Sequence, residues 1–209
     1  MFPFFASFII FVIWLTYELK KHNRKDKKVL ESFWERESRA NATRRKPLDD
    51  LEYIQIPVGT LPLDCLPEDS YAAEYADVIR TLAPQKIVNF TGISNTDLKL
   101  RYGAPNIDLL SRYDQNYTVL VRTLEQLAEK YFESGLYTDA QTLLEYAVSI
   151  HSDVTGTYRL LKAIYLKNGQ EEKLSALLDA ADALHSITRP VIVRMLQESD
   201  SDTGLPHSS

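Results

Sequence analysis

Apolar residues recur at spacings of three and four through the second half of the chain, as on one face of a helix. Leu127 and Tyr131 close the first such run, and Gly135 comes after it. A glycine just past a helix can adopt the left-handed conformation without a Cβ clash, so the chain reverses there and a second helix begins. The pattern predicts a helical hairpin with these inward residues: Leu124, Leu127, Tyr131, Ala140, Leu143, Leu144 and Ala147.

The same hairpin is encoded again 34 residues later. Aligning residues 123–152 with residues 157–186 gives nine identical positions, whereas unrelated stretches of this length would share about two. Helices this short are stable only when they bury their apolar faces on neighbours, so the two hairpins are expected to stack. The identical pairs are Thr123/Thr157, Leu127/Leu161, Tyr131/Tyr165, Gly135/Gly169, Leu143/Leu177, Leu144/Leu178, Ala147/Ala181, His151/His185 and Ser152/Ser186.

This repeat resembles the tetratricopeptide repeat family in its 34-residue period, its aromatic and small residues in the first helix, its turn glycine and its small residue in the second helix. The second unit departs from the pattern: Leu174 replaces Ala140, Glu171 replaces Tyr137, and Lys162 stands where Ala128 does. Residues 89–103 and 113–117 are also similar to uncharacterised membrane proteins of anaerobic Gram-positive bacteria, which implies no activity. The first unit matches the family at Tyr131, Gly135, Tyr137, Ala140, Leu144 and Ala147.

The family resemblance implies a surface that binds a protein or peptide, on the side of the first helix of each hairpin. The alternative is a hairpin pair that only supports its neighbours. Glu125 and Glu129 stand where a clamp for a peptide carboxylate would need cations, so that specificity is not expected; an apolar anchor is. The candidate groove residues are Arg122, Glu125, Glu129, Phe132, Glu133, Arg159, Leu166 and Lys167.

The N-terminal residues 2–19 form an almost unbroken apolar stretch. About 1.5 Å per helical residue makes it roughly 27 Å long, close to the thickness of a bilayer core. A cleaved signal peptide would need basic residues before it and a small-residue site after it, and the sequence has neither. The basic flank predicts a single-pass anchor with the N-terminus outside, a cytoplasmic body and contact with anionic lipid. The flanking cations are Lys20, Lys21, Arg24, Lys25, Lys27 and Lys28.

Between the leader and the repeats the sequence predicts a helix over residues 29–39, whose aromatic residues could dock on the body, on the membrane or on a second copy. Prolines keep much of the next segment, residues 41–68, extended. Residues 68–70, which include Asp69, are expected to cap a helix that turns Tyr71 inward, and Thr96 is expected to open a short helix. Residues 114–116 should separate a further helix from the first repeat, and Thr188 should cap the last helix, with Pro190 in its first turn. The expected fold class is all-α: a transmembrane helix followed by repeat hairpins with capping helices. The expected order is a transmembrane helix at 1–19, a basic then amphipathic helix at 20–40, a linker at 41–68, a helical cap at 69–118, two repeats at 119–186, a capping helix at 187–198 and a disordered tail at 199–209.

Composition narrows the function. Residues 51–209 carry 13 Lys/Arg against 22 Asp/Glu, an acidic balance that argues against nucleic acid as a partner. Cys65 is the only cysteine, no histidine has metal-ligand spacing, and no glycine loop has the pattern that cradles phosphate. We therefore expect no catalytic residue, metal or cofactor.

These features together favour a membrane-anchored adaptor that recruits a protein or peptide partner at the cytoplasmic face. The alternative is a structural subunit of a larger envelope complex, assembled through its first helices. The sequence leaves open the oligomeric state and the identity of the partner.

Overall fold

A computed structural model of the chain describes residues 30–198, together with Phe8, Phe11, Val12, Trp14, Leu15 and Glu18. All regular structure in this part is helical, which confirms the all-α prediction there. The predicted disordered tail at 199–209 lies outside the described residues. The helices are α1 (30–41), α2 (Ser70–Leu82), α3 (Asn95–Tyr102), a 3₁₀ turn (Ala104–Asn106), α4 (Ile107–Glu133), α5 (Tyr137–Ser149), α6 (Thr155–Lys167), α7 (Lys173–Asp182) and α8 (Arg189–Gln197).

The predicted transmembrane helix is wrong for the part of the chain that the structure describes. A crossing needs about 20 consecutive apolar residues in one helix, and none of the described helices is both long and apolar enough. The longest, α4, has 27 residues but carries charged side chains along its whole length. The predicted single-pass localisation is wrong for the same reason, and the cytoplasmic placement of the body, which depended on it, is withdrawn. Most of residues 1–29, including the flank from Lys20 to Lys28, lies outside the described residues.

The chain divides into two compact units, of which the first comprises residues 1–48 and 94–107. Here α1 and α3 are joined by polar contacts of Glu37, whose carboxylate accepts from Lys99 Nζ at 2.6 Å and from Thr96 Oγ1 at 2.7 Å. Thr96 was expected to open α3, but Ser94 caps it, accepting from the Asp97 N–H at 3.2 Å. The Thr96 hydroxyl therefore binds Glu37 of α1 and does not cap α3.

Residues 42–48, expected to be part of a linker, are held along the turn that comes after α3. The Lys46 N–H donates to the Tyr102 carbonyl at 3.0 Å, and the buried Asn106 side chain donates to the carbonyls of Lys46 and Tyr102 at 2.9 and 2.8 Å. Gly103 makes this approach possible, because a Cβ there would overlap the Arg44 carbonyl and φ is +93°. These backbone contacts order a segment that has no helix of its own.

The aromatic residues of α1 do not pack on the rest of the first unit. Leu30, Phe33 and Trp34 are 55%, 52% and 60% exposed, and the rings of Phe33 and Trp34 meet edge to face with centroids 5.4 Å apart. The sequence left open what this face contacts. In the described residues it is a solvent-facing apolar patch.

The second unit, residues 49–93 and 108–209, contains the repeat hairpins. Residues of α4 and α5 share one core, α5 packs on α6, and α6 packs on α7 and α8. Their inward residues form one core in which most side chains are fully buried. The described core includes Leu120, Leu124, Leu127, Tyr131, Ala140, Leu143, Leu144, Ala147, Tyr158, Leu161, Ile164, Leu177 and Ala181.

One helix boundary was predicted wrongly. A break at residues 114–116 was expected to separate a short helix from the first repeat, but α4 runs unbroken from Ile107 to Glu133. No proline or glycine interrupts it, and its polar residues are engaged by residues 85–90. Asp114 accepts from the Phe90 N–H at 3.0 Å, and Asn116 donates to the Lys86 carbonyl at 3.1 Å. The polar residues at 114–116 therefore mark a contact with residues 85–90 and not the end of a helix.

Helix α2 covers the N-terminal side of the repeats. Asp69 caps it as predicted, accepting from the Tyr71 and Ala72 N–H groups at 2.9 and 3.0 Å. The buried face consists of Ala72, Ala76, Ile79 and Leu82, whereas Tyr71, expected to face inward, is 60% exposed. Small alanines on this face allow a close approach to the core that a tyrosine would prevent.

Helix α8 closes the other end and buries Ile192 completely. Pro190 lies in its first turn as predicted. Thr188 was expected to cap α8 with its hydroxyl, but that hydroxyl donates to the Asp153 carbonyl at 3.0 Å, and no side chain caps this end. Thr188 therefore ties α8 to the turn that precedes α6.

Candidate functional site

The two hairpins share their turn chemistry as well as their sequence. Gly135 and Gly169 have φ values of +79° and +67°, confirming the left-handed conformation predicted for both. Ser152 and Ser186 each accept the backbone N–H two residues later, at 3.3 and 3.2 Å. Equivalent positions of the two turns therefore make equivalent hydrogen bonds.

The predicted groove residues lie on α4 and α6. We call the surface formed by Arg122, Glu125, Glu129, Phe132, Arg159, Leu166 and Lys167 the helix-A face. Glu133, also predicted to belong to it, is paired with Lys130, whose Nζ lies 3.0 Å from its carboxylate.

Glu125 lies directly on α6. Its carboxylate rests against Gly156, where an added Cβ would overlap Glu125 Oε1. Burial, then the neighbouring charge of Glu129, raises the pKa of the Glu125 carboxyl, and Arg159 partly opposes this. Among the described residues no side chain or N–H group donates a hydrogen bond to it. Glu125 is therefore a half-buried carboxylate whose hydrogen-bonding capacity is not used by the fold.

Two cations of the helix-A face differ in their surroundings. Arg159 pairs with Glu129 across α4 and α6 at 3.6 Å, with both side chains about half exposed, at 48% and 44%. Arg122 is exposed and makes no ion pair with the described residues. An exposed pair contributes little to stability, so these charges are not what holds the two helices together.

The other end of the helix-A face is aromatic. Phe132 meets Tyr137 edge to face with ring centroids 5.3 Å apart, and Lys167 Nζ lies 4.4 Å from the centroid of the Tyr137 ring. Phe132 and Leu166 are half-buried, which leaves part of each side chain open to a ligand. Tyr137 belongs to this cluster although the sequence did not place it on the candidate surface.

Lys162, the clearest departure from the repeat pattern, has a structural explanation. Its side chain is 7% exposed, and its Nζ donates to the carbonyls of Met195 and Glu198 at 3.1 and 2.7 Å. A cation at the C-terminal end of α8 satisfies carbonyls that have no partner within the helix and complements its dipole. The lysine replaces a small residue because it caps the neighbouring helix.

A cleft that the sequence did not predict opens where α5 and α7 end. Its volume is about 660 Å³, and it is lined by the same three positions of both repeats: Ser149, Ile150 and His151 in one turn and Ala183, Leu184 and His185 in the next. The other walls come from residues 52–54 and from residues 88–93.

Two backbone conformations shape this cleft. Gly92 lets the wall approach His185, because a Cβ there would lie 2.6 Å from the His185 carbonyl oxygen. His151 has a φ of +62°, and its carbonyl accepts from the buried Tyr117 hydroxyl at 2.8 Å. In the sequence, the identical residues His151 and His185 at equivalent repeat positions were the signal that could have located this cleft.

The single cysteine and the possible metal ligands were examined for chemistry in the described residues. Burial raises the pKa of the Cys65 thiol, the opposite of what a nucleophilic cysteine needs. Within the described residues no group of three His, Cys, Asp or Glu side chains could hold a metal ion. The helix-A face places charged and apolar groups side by side.

The fold and this surface define a class of protein, an all-α array of stacked helical hairpins with a mixed charged and aromatic face. No family model, curated protein or solved structure matches the chain. The likeness to tetratricopeptide repeats therefore remains a resemblance carried by the residues named above.

Proposed function

We propose that this chain is a helical-repeat adaptor that binds a peptide segment of a partner protein on its helix-A face. The observation that carries the proposal is the pairing of Glu125, a half-buried carboxylate without a hydrogen-bond donor among the described residues, with the half-buried Phe132 and Leu166 on one surface. Polar groups that fix orientation, next to apolar groups that supply contact area, are the usual content of a binding site.

The position of the Glu125 carboxylate does not stabilise the fold. A half-buried carboxylate that accepts no hydrogen bond lowers stability, because the charged form loses water without compensation. A partner that supplies a donor recovers that loss, so the group favours the bound state. Arg122, exposed at the edge of the same face, offers a second charge to the partner.

Peptide selection followed by glutamate substitutions on the helix-A face tests this proposal. Twelve-residue peptides are selected from a random display library on the immobilised full chain, and the affinity of enriched peptides is then measured for Arg122→Glu and Leu166→Glu. The control is Arg112→Glu, an exposed arginine on the same helix α4 about 15 Å away at 1.5 Å per residue. The proposal expects at least a tenfold loss for the first two variants and none for the control.

Failure has a clear form. If no peptide is enriched over the bare support, or if enriched peptides bind all variants equally, the helix-A face is not a peptide site. Circular dichroism of each variant separates lost binding from lost folding.

A second candidate function is favoured by one observation, the apolar patch of Leu30, Phe33 and Trp34 on α1. Contiguous exposed apolar residues mark interaction surfaces, so the chain could serve as a structural subunit that assembles through α1. Light scattering of the full chain and of Trp34→Glu tests this: a mass that falls to that of one chain in the variant supports assembly, and equal masses in both contradict it.

A further inference from the structure

We infer that α1 pairs with α1 of a second copy of this chain, with the two helices antiparallel and in contact along the groove that Trp34 borders. The inference rests on the second candidate function, assembly through α1. It adds the partner, which is a second copy of the chain, and the direction in which the two helices run.

A shallow groove along α1 is the surface for this contact. Its lining residues recur at spacings of three and four, so they lie on one face of the helix, and all of them are exposed. They form two ridges whose members are four residues apart, and ridges of this kind pack into the groove of a neighbouring helix. One ridge is Trp34, Ser38 and Ala42, which directly follows the helix, and the other is Glu31, Glu35 and Arg39.

The charges on this groove are separated by sign along α1. The other charged side chains of the helix, Arg36 and Glu37, are paired with α3 at 2.5 and 2.6 Å. Those on the groove form no ion pair with any described residue. Glu31 and Glu35 lie in the first half of the helix and Arg39 lies in the second half. The groove is therefore acidic at one end and basic at the other.

The charges beyond the groove do not select a direction. Lys27 and Lys28 precede α1, and Arg44 and Arg45 follow it. Cations therefore meet cations at both ends, whether the second helix runs parallel or antiparallel, and salt screens such exposed charges. The direction depends on the groove itself.

Antiparallel pairing matches the two grooves in shape and in charge. About the midpoint of the groove, between residues 36 and 37, it brings Trp34 beside Ser38 of the second copy, whose small side chain leaves room for the indole. Glu35 then lies within one turn of Arg39 of the second copy, and a two-fold axis repeats both contacts. Parallel pairing would set Trp34 against Trp34 and each charge against its own kind, which is unfavourable.

The apolar patch of α1 gives the second copy a surface to bury. Leu30 and Phe33 adjoin Trp34, and all three side chains are more than half exposed. Contiguous exposed apolar residues of this kind mark interaction surfaces. Because α1 is only about three turns long, the contact is small, and we expect a dimer that dissociates on dilution.

Disulfide cross-linking tests the direction of the two helices. Full chains that carry Glu31→Cys are mixed with full chains that carry Ala42→Cys, both with Cys65→Ser, then oxidised, and the linked tryptic peptides are identified by mass spectrometry. A disulfide needs Cα atoms about 4.4 to 6.8 Å apart. Antiparallel pairing places position 31 beside position 42 of the second copy, and it separates two copies of either position by about 16 Å along the helix axis. The expected product links position 31 to position 42.

Two matched pairs of variants test the groove by sedimentation equilibrium of the full chain. Arg39→Glu leaves only carboxylates on the groove and should weaken the dimer about tenfold, whereas the control Arg112→Glu makes the same change at an exposed site on α4 and should not. Ser38→Leu fills the place of the indole and should also weaken the dimer about tenfold, whereas Ser38→Ala should not. Circular dichroism separates lost association from lost folding. A dimer that forms equally well in Arg39→Glu and Ser38→Leu overturns the inference.

The outcomes separate this inference from the assembly on which it rests. Disulfides that link 31 to 31 and 42 to 42, alone or as often as 31 to 42, keep assembly through α1 and overturn the antiparallel arrangement. The absence of every disulfide assigns the groove to another occupant and overturns the inference, while a mass lowered by Trp34→Glu would still keep assembly. A chain with the mass of one copy, unchanged by Trp34→Glu, overturns both. The peptide site on the helix-A face does not depend on any of these results.

Discussion

The lysine that caps α8 provides the sharpest test of how the repeat array is closed. Replacing Lys162 with methionine keeps the length and apolar stem of the side chain but removes the ammonium group that donates to the Met195 and Glu198 carbonyls at 3.1 and 2.7 Å. A hydrogen bond from a charged donor contributes about 1.5 to 3 kcal/mol, so the two bonds together are worth at least about 3 kcal/mol.

Two effects reduce this figure. Methionine buries without the desolvation penalty of an ammonium group, which returns about 1 kcal/mol. The end of α8 is also exposed at Gln197 and Glu198, so water can reach the freed carbonyls. We expect Lys162→Met to lower the free energy of unfolding by about 2 kcal/mol, which for a chain of this size lowers Tm by about 4 to 8 °C.

The assay combines urea unfolding with amide hydrogen exchange. The exchange of residues 192–198 should accelerate in Lys162→Met, because α8 loses its cap, while amides in α5 should change less. The control is Lys167→Met on the same helix, which loses only a cation–π contact worth about 0.5 to 1 kcal/mol. A Lys162→Met variant as stable as the native chain, with unchanged exchange in α8, would refute the capping argument.

Three further predictions concern stability. At pH 7, Glu125→Gln should unfold at a higher urea concentration than the native chain, because the raised pKa of Glu125 means that its charged form lowers stability. Near pH 4 the carboxyl is protonated, and the difference between the two chains should vanish. Gly103→Ala should destabilise more than Gly135→Ala in thermal unfolding: both glycines have positive φ, but only at Gly103 would a Cβ overlap a backbone carbonyl. Burial raises the pKa values of Tyr131, Tyr146 and Tyr158 to about 12, whereas the unfolded value is about 10. The neutral forms of these tyrosines therefore stabilise the fold fully below pH 10, and this contribution is lost as the pH rises towards 12. Urea unfolding from pH 9 to 11.5 should show this decline, with a shallower slope for Tyr158→Phe; a stability that does not change over this range would contradict it.

The sequence predicted what depends on local pattern. The 34-residue period, the turn glycines at 135 and 169 and the Asp69 cap all express preferences of a residue and its near neighbours, and the structure contains each of them. These features need no knowledge of distant contacts, which explains why periodicity was sufficient.

What the sequence could not supply depends on residues far apart in the chain. From the sequence, Asp114 and Asn116 were interpreted as a helix break, because their hydrogen bonds to residues 85–90 could not be foreseen. Lys162 read as a weak match to the repeat because its partners at 195 and 198 belong to another helix. The same limit applies to Gly156 and Glu125, whose contact depends on how one hairpin packs on the next.

The leader shows a different limit. A membrane crossing was predicted from the hydropathy and length of an apolar run alone. No helix in the described residues meets both requirements for a crossing.

Both ends of the hairpin array are covered by other parts of the chain, and this limits the length of the surface that the proposed peptide site can offer. Tyr131 donates to the Pro62 carbonyl at 2.8 Å and accepts from the Cys65 N–H at 3.3 Å, in the place where Tyr165, its equivalent, contacts Glu145 of a preceding helix at 2.9 Å. An extended segment thus stands in for a further repeat at one end, and the cap on α8 stops growth at the other. Helices α4 and α6, spaced about 10 Å apart, give the helix-A face a width of about 20 Å, which matches some six residues of extended chain. A peptide on the proposed site would therefore make a contact at the weak end of protein recognition, and we expect it to dissociate quickly.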